Sequence, residues 1–267
     1  MNRRNLLIAA AGAAASAVVA PGARASAAPV APATRDAWST TTTVARYPSD
    51  RRMWVDPNNR AAKLRTLPVE CRQVIVVGGA SYTTTYATLE TYAKVLGHWR
   101  RVSGALPARI GSKGFSDNHV EGVPTTPTGV YSIGPTMYGI GANPGVRYPY
   151  HRLVSGDWWN ENPESSLYNT FQHSATNPGG YSEALWQETP AYTHFAVITY
   201  NMPPNVAKPV PYAGSGIFLH EFSTSGGNPT AGCVSLSHTN LVAVLRWLNP
   251  ALSPRIVISP YANLDRY

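Results

Sequence analysis

Charge and cysteine are both scarce in this sequence. Asp, Glu, Lys and Arg make up 13% of its 267 residues, about half the share usual in soluble domains. Two cysteines, Cys71 and Cys233, can close at most one bridge, so a disulfide framework is excluded. Beyond the first twenty residues no run approaches the ~20 apolar positions of a membrane span. Basic pairs after residue 27 are confined to Arg51-Arg52 and Arg100-Arg101. No stripe therefore resembles a nucleic-acid footprint. Several catalytic signatures are missing too. There is no G-x-x-x-x-G-K-[ST] phosphate loop and no G-x-S-x-G elbow. His220-Glu221 begins like H-E-x-x-H, but position 224 is Thr and the segment reads as a strand. Two zinc ligands one helical turn apart are thus ruled out. Gly139-Ile140-Gly141 runs into Pro144 instead of a helix start, so it is a loop and not a dinucleotide turn.

Glycine (22), proline (23), tyrosine (15) and tryptophan (7) are plentiful, and 43% of residues are hydrophobic. That is the composition of a turn-rich, aromatic β protein with enough apolar material for a true core. Met1-Asn2-Arg3-Arg4-Asn5, the largely apolar stretch Leu6 to Ala20 and the small residues Ala25-Ser26-Ala27 read as a secretory signal over residues 1–27. Its arginine pair is similar to that of a twin-arginine signal. The expected mature chain is exported and has no transmembrane segment. Losing Arg3, Arg4 and Arg24 with no acid takes the formal charge from +8 to +5. An Ala/Pro/Thr-rich linker and N-terminal extension is expected over 28–66, and a single folded domain over 67–267.

Within that domain Gln73 to Val77, Thr128 to Ile133, His194 to Tyr200, Gly216 to His220 and Arg255 to Ile258 read as strands. The stretch Ala87 to Arg101 is read as a hairpin, because Gly97 and the Thr and aromatic content outweigh its helical apolar spacing. Leu241, Val244, Leu245 and Leu248 form one face of a helix that starts after Ser237 and ends at Asn249-Pro250. A shorter helix is expected over Glu164 to Gln172. The sum is mostly β, with mixed sheets or a β-sandwich and one or two packed helices.

One constellation carries chemistry. Cys233 sits in a Gly-flanked turn, Thr230-Ala231-Gly232-Cys233, thirteen residues after His220. Such a turn can present backbone N–H groups to an oxyanion, and a histidine ending a buried strand can take the thiol proton. Cys71 remains available as a disulfide partner, so a structural bridge is the competing reading of this pair.

Gly216-Ile217-Phe218-Leu219-His220 followed by Thr230-x-Gly232-Cys233 resembles the signature of L,D-transpeptidase catalytic domains of the YkuD type. Thr126-Pro127-Thr128-Gly129-Val130-Tyr131-Ser132-Ile133 is similar to that family's T-P-x-G strand. The resemblance implies a cysteine nucleophile at Cys233, a base at His220 and an oxyanion hole from the Gly232 and Cys233 N–H groups. It further implies peptidoglycan stem peptides as substrate, release of D-alanine and a 3→3 cross-link, a covalent adduct with a carbapenem, and no metal or organic cofactor. Hydrolysis of the same stems, or a non-catalytic wall-binding module with a Cys71–Cys233 disulfide, are the alternatives. Ala231 replaces the family's histidine and Ser235 its Arg or Asn, which marks a divergent branch and leaves proton transfer to His220. Phe218, Thr230 and Ser235 are candidate substrate-binding residues. So are Tyr150, Trp158 and Trp159 of an aromatic insertion, which could either cover the site or pack beneath a long loop. His98, His119, His173 and His238 are read as surface or core residues.

Overall fold

The computed structural model describes residues 58–267; the expected signal and the Ala/Pro/Thr-rich stretch up to residue 57 lie outside them. A short 3-10 turn, Arg60–Lys63, comes first, capped by the Asn59 side-chain oxygen, which accepts the Ala62 N–H. It is tied down at once. Arg60 pairs with the buried Glu90 carboxylate at 2.7 Å, and Asn59 Nδ2 donates to the Trp99 carbonyl at 2.8 Å. Packing therefore begins upstream of Leu67, inside the expected extension.

Strand β1 (Gln73–Gly79) is buried along its whole length, which is why it reads as an unbroken β-branched run instead of an alternation. β2 (Tyr86–Val95) and β3 (His98–Arg101) form the expected hairpin. Its two turn residues, Leu96 and Gly97, have φ of 49° and 84°, the paired positive values of a tight hairpin turn. β4 (Leu106–Arg109), the short pair β5 (Phe115–Ser116) and β6 (Thr126–Pro127), then β7 (Gly129–Gly139) and β8 (Tyr150–Arg152) follow. An insertion then builds its own three-stranded sheet from β9 (Asp157–Asn160), β10 (Thr170–His173) and β11 (Glu183–Ala184). The chain returns through β12 (Phe195–Ile198), β13 (Phe218–Glu221), β14 (Val234–Leu236), helix α1 (His238–Trp247) and β15 (Arg255–Pro260).

The pairing order β1-β15-β7-β12-β13-β14-β4-β2 closes on itself, because β2 also pairs with β1. β1–β15 and β13–β14 are parallel, and the other neighbours in the ring are antiparallel. Leu89, Met137, Ala196, Leu219, Val234 and Ile258 fill the inside together with Leu241, Val244 and Leu245 of α1. The mostly-β expectation with mixed pairing and a packed helix holds, with the main sheet rolled into a ring. Two outer faces are covered. Cys71, Val74, Val76, Tyr92 and Val257 lie under the N- and C-terminal turns. Trp159, Tyr192, Phe195, Phe218 and Cys233 lie under the insertion.

The helix expected over Glu164 to Gln172 is absent. Turns occupy its first half, Asn169 takes a left-handed φ of 56°, and Thr170 to His173 pair with β9. Side-chain acceptors explain the break. Asn160 Oδ1, Asn162 Oδ1 and Ser165 Oγ each accept a backbone N–H two residues on, those of Asn162, Glu164 and Leu167, and such local bonds compete with a helical ladder.

Candidate active site

The register of β13 against β14 places the candidate groups. Leu219 lies opposite Val234 and His220 opposite Ser235. Leu219 and Val234 point into the ring, so alternation sends Phe218, His220, Cys233 and Ser235 outward together. Two residues along one strand and one strand across, the His220 and Cys233 backbones are about 8 Å apart at ordinary sheet spacings, a gap that an imidazole and a thiol can close.

His220 is 6% exposed, and its Nδ1 lies 2.6 Å from the Glu221 carbonyl oxygen. A carbonyl only accepts, so Nδ1 carries the hydrogen and the neutral ring keeps its lone pair on Nε2. The Glu221 carboxylate points the other way, as strand alternation predicts, and binds His238 Nδ1 at 2.8 Å. The Tyr192 ring meets the imidazole edge-on at 5.6 Å.

Cys233 is fully buried. Its Sγ donates to the Gly216 carbonyl at 3.2 Å and accepts the Phe218 N–H at 3.3 Å. Neither cysteine is in a disulfide: Cys71 is packed with Val74 and Tyr92 on a different outer face, where burial pushes its thiol pKa up. The Cys71–Cys233 bridge of the wall-binding alternative is therefore not formed.

The turn before Cys233 is held at both ends. Thr230 exchanges backbone bonds with Ile110 and Ser112 at 2.9 Å each. Its hydroxyl donates to the Cys233 carbonyl at 2.6 Å and accepts the Gly232 N–H at 3.1 Å. Gly232 has φ of +151°, and a Cβ there would meet Thr125 O at 3.0 Å and Ile217 Cδ1 at 3.1 Å. The T-P-x-G strand acts behind this turn. Thr126 Oγ1 accepts the Gly111 N–H at 2.8 Å, and the Tyr131 hydroxyl bonds the Thr128 carbonyl.

The expected site residues separate into groups. Cys233, His220, Gly232, Thr230 and Ser235 are brought together, and the Ser235 hydroxyl is buried with no hydrogen-bond partner among the described residues. The Gly232 N–H, expected in the oxyanion hole, donates to the Thr230 hydroxyl. Phe218 is buried and reaches the thiol through its backbone N–H, while its ring packs against Trp159 at 5.0 Å. Trp159 thus lies under the insertion, its indole bonded to Asn169. Trp158, one residue earlier and facing the other way, donates to the Ser174 carbonyl and packs against Trp186. Tyr150 is absent from this face too. Its hydroxyl donates to the Gly141 carbonyl and accepts from His194 Nδ1 at 2.9 Å, beside the Glu221–His238 pair. Phe218, Tyr150 and Trp158 thus each engage partners within the protein at these positions.

Two residues at the site escaped the sequence. His119 lies behind the Gly232 turn, with Nδ1 2.9 Å from Thr125 Oγ1, and burial lowers its pKa to about 4. Asn169 bonds both Trp159 and Gly216. Neither belongs to a motif, and only distant contacts give them a role. Among the described residues no cluster of three His, Cys, Asp or Glu side chains could hold a metal ion, and no helix is long and apolar enough to cross a membrane.

The chain was compared with known proteins. A search of curated proteins returns no match. Three solved structures are similar over part of their length. The helical cell shape determining protein Pgp2 from Campylobacter jejuni is 15% identical, with 70% of this chain and 47% of that one covered and a TM-score of 0.36. An L,D-transpeptidase from Mycobacterium smegmatis is 16% identical, with 70% and 58% covered and a TM-score of 0.32. Bdellovibrio bacteriovorus Bd1075 is 14% identical, with 76% and 55% covered and a TM-score of 0.35. The chain thus spans about half the length of the solved structures it matches. The model of the YkuD family, the L,D-transpeptidase catalytic domain, matches residues 44–258 and takes in the ring, the insertion and both motifs. The chain belongs to the YkuD L,D-transpeptidase catalytic domain family.

Proposed function

We propose that this chain is an exported cysteine acyltransferase that acts on peptidoglycan stem peptides outside the membrane. His220 Nε2 takes the Cys233 thiol proton, and the thiolate attacks the carbonyl of the third residue of a stem tetrapeptide. The Cys233 N–H faces the developing oxyanion. His220 returns the proton to the leaving amine, D-alanine departs, and a thioester to Cys233 remains. An amine on a neighbouring stem resolves it to a 3→3 cross-link and regenerates the thiol. No metal or organic cofactor enters these steps.

The observation that carries the reading is the Nδ1 contact of His220 with the Glu221 carbonyl. It fixes the tautomer that puts the ring's lone pair on Nε2, and strand alternation turns the ring to the same outward face as Cys233. The Thr230–Cys233 turn and the family match over 44–258 support it.

Intact-mass measurement after incubation with a carbapenem and, separately, with a purified stem tetrapeptide tests the proposal. A covalent adduct is expected in the native protein and none in Cys233→Ala. An adduct that persists in that variant overturns the nucleophile. Loss of D-alanine with no cross-linked dimer replaces the transferase with a hydrolase.

A further inference from the structure

One buried side chain near Cys233 has no part in the steps above. Asn169 is 1% exposed. Its Oδ1 accepts the Trp159 indole N–H at 2.9 Å and the Gly216 backbone N–H at 3.1 Å. Its Nδ2 donates to the carbonyls of Tyr200 at 3.2 Å and Asn201 at 2.9 Å. Both partners of the oxygen can only donate and both partners of the nitrogen can only accept, so the amide has one orientation and its bonding capacity is full. The left-handed backbone of Asn169 suits asparagine better than almost any other side-chain-bearing residue.

Gly216 is the link to the thiol. Its N–H is held by Asn169 and its carbonyl accepts the Cys233 S–H at 3.2 Å. A side chain at position 216 would collide with the Glu161 carboxylate, and φ there is +61°, so this peptide unit has little freedom of its own. Two of the contacts on sulfur oppose one another. An S–H···O=C contact exists only for the protonated thiol, whereas the Phe218 N–H favours the thiolate.

We propose that Asn169 is a positioning residue that sets the resting protonation of Cys233 by holding the Gly216 carbonyl against the thiol. The same amide oxygen holds Trp159 of β9. The inference rests on Cys233 being the nucleophile. Titratable groups packed against this network are His220 on β13, Tyr192 against the His220 ring, Glu161 beside Gly216 and His119 behind Gly232.

The test uses the full chain in a Cys71→Ala background, with alkylation of Cys233 by iodoacetamide followed by intact mass across a pH series. Asn169→Gly keeps the left-handed backbone and deletes the carboxamide. Trp159→Phe keeps an aromatic ring under the insertion and deletes the indole N–H. The midpoint of alkylation is expected to fall by about one pH unit in Asn169→Gly, tenfold in thiolate at neutral pH, and by less in Trp159→Phe. A change in accessibility alone scales the rate at every pH and leaves the midpoint in place. An unmoved midpoint in both variants overturns the proposal, and if Asn169→Gly does not fold, Trp159→Phe decides alone. Alkylation needs no peptide substrate, so this outcome is independent of whether acyl adducts form on Cys233.

Discussion

Acidification should destabilise this protein through His119. The ring is 7% exposed, sits between Gly214 and Gly232, and meets the Tyr200 ring edge-on at 5.2 Å. Burial lowers its pKa from 6.5 to about 4, against a smaller opposing pull from Glu121. The folded-state value is the depressed one. Below about pH 6.5 the unfolded chain therefore binds a proton that the folded chain does not, and stability falls until the folded ring itself titrates near pH 4. At about 1.4 kcal/mol per pH unit, this interval corresponds to about 3 kcal/mol. His119→Gln can still hydrogen-bond Thr125 but cannot titrate. Urea denaturation of both proteins, followed by tryptophan fluorescence from neutral pH to about pH 4, isolates the contribution of this group. The native protein should lose about 3 kcal/mol more than the variant over that range. Parallel stability curves would refute the reasoning, because they would mean that the buried ring accepts a proton as readily as an exposed one. The position of the ring also gives the loss a local meaning. His119 Cε1 would lie 3.5 Å from a Cβ on Gly232, so a charged, rehydrating ring would disturb the Thr230–Cys233 turn first.

Gly232→Ala should destabilise the protein by about 1–3 kcal/mol, the range for a non-glycine residue forced into a disfavoured backbone region, and should slow carbapenem adduct formation more than tenfold. Native-like urea midpoints and adduct rates in that variant would show that the turn has room. Asp157 is fully buried and accepts from the Val154 N–H, His151 Nε2 and His173 Nδ1 at 2.7–2.8 Å. Burial works to raise its pKa, but these bonds together hold it below the ordinary carboxylate value. Its stabilisation is therefore present at neutral pH and is lost as pH falls through the carboxylate range. Asp157→Asn should cost about 2 kcal/mol, read as faster amide hydrogen exchange in β9 and β10; unchanged exchange there would argue against the clamp.

Much of the ring was legible because its strands are buried on both faces or bounded by turn residues. β1, β12, β13 and β15 are short β-branched or aromatic runs, and no other local structure suits them better. The hairpin at Leu96-Gly97 and the helix after Ser237 carry equally local signals. What stayed hidden depends on distant partners. The second half of β7 contains Pro135, and β9 to β11 exist because Trp159, Phe171 and Glu183 pair across the insertion. Asn169 falls in the middle of the segment read as a helix, and its bonds reach residues up to 47 positions away. At the site, motif spacing singled out Cys233 and His220, which the register of β13 against β14 puts on one face, and the direction of the Glu221 side chain follows from strand alternation. Neither could show that the Thr230 hydroxyl takes the Gly232 N–H, because that depends on a rotamer within the turn.

The closed ring also constrains the order of events during folding. β15 lies between β1 and β7, so the first and last strands of the described chain are parallel partners. A nascent chain can form β13, β14 and the thiol turn while β1 and β7 still present open edges, which are templates for association with other chains. Pairing between such remote segments is intrinsically slow, and only the arrival of Arg255–Pro260 closes the ring. A chain truncated before that strand would carry every residue of the Thr230–Cys233 turn and would still be expected to aggregate.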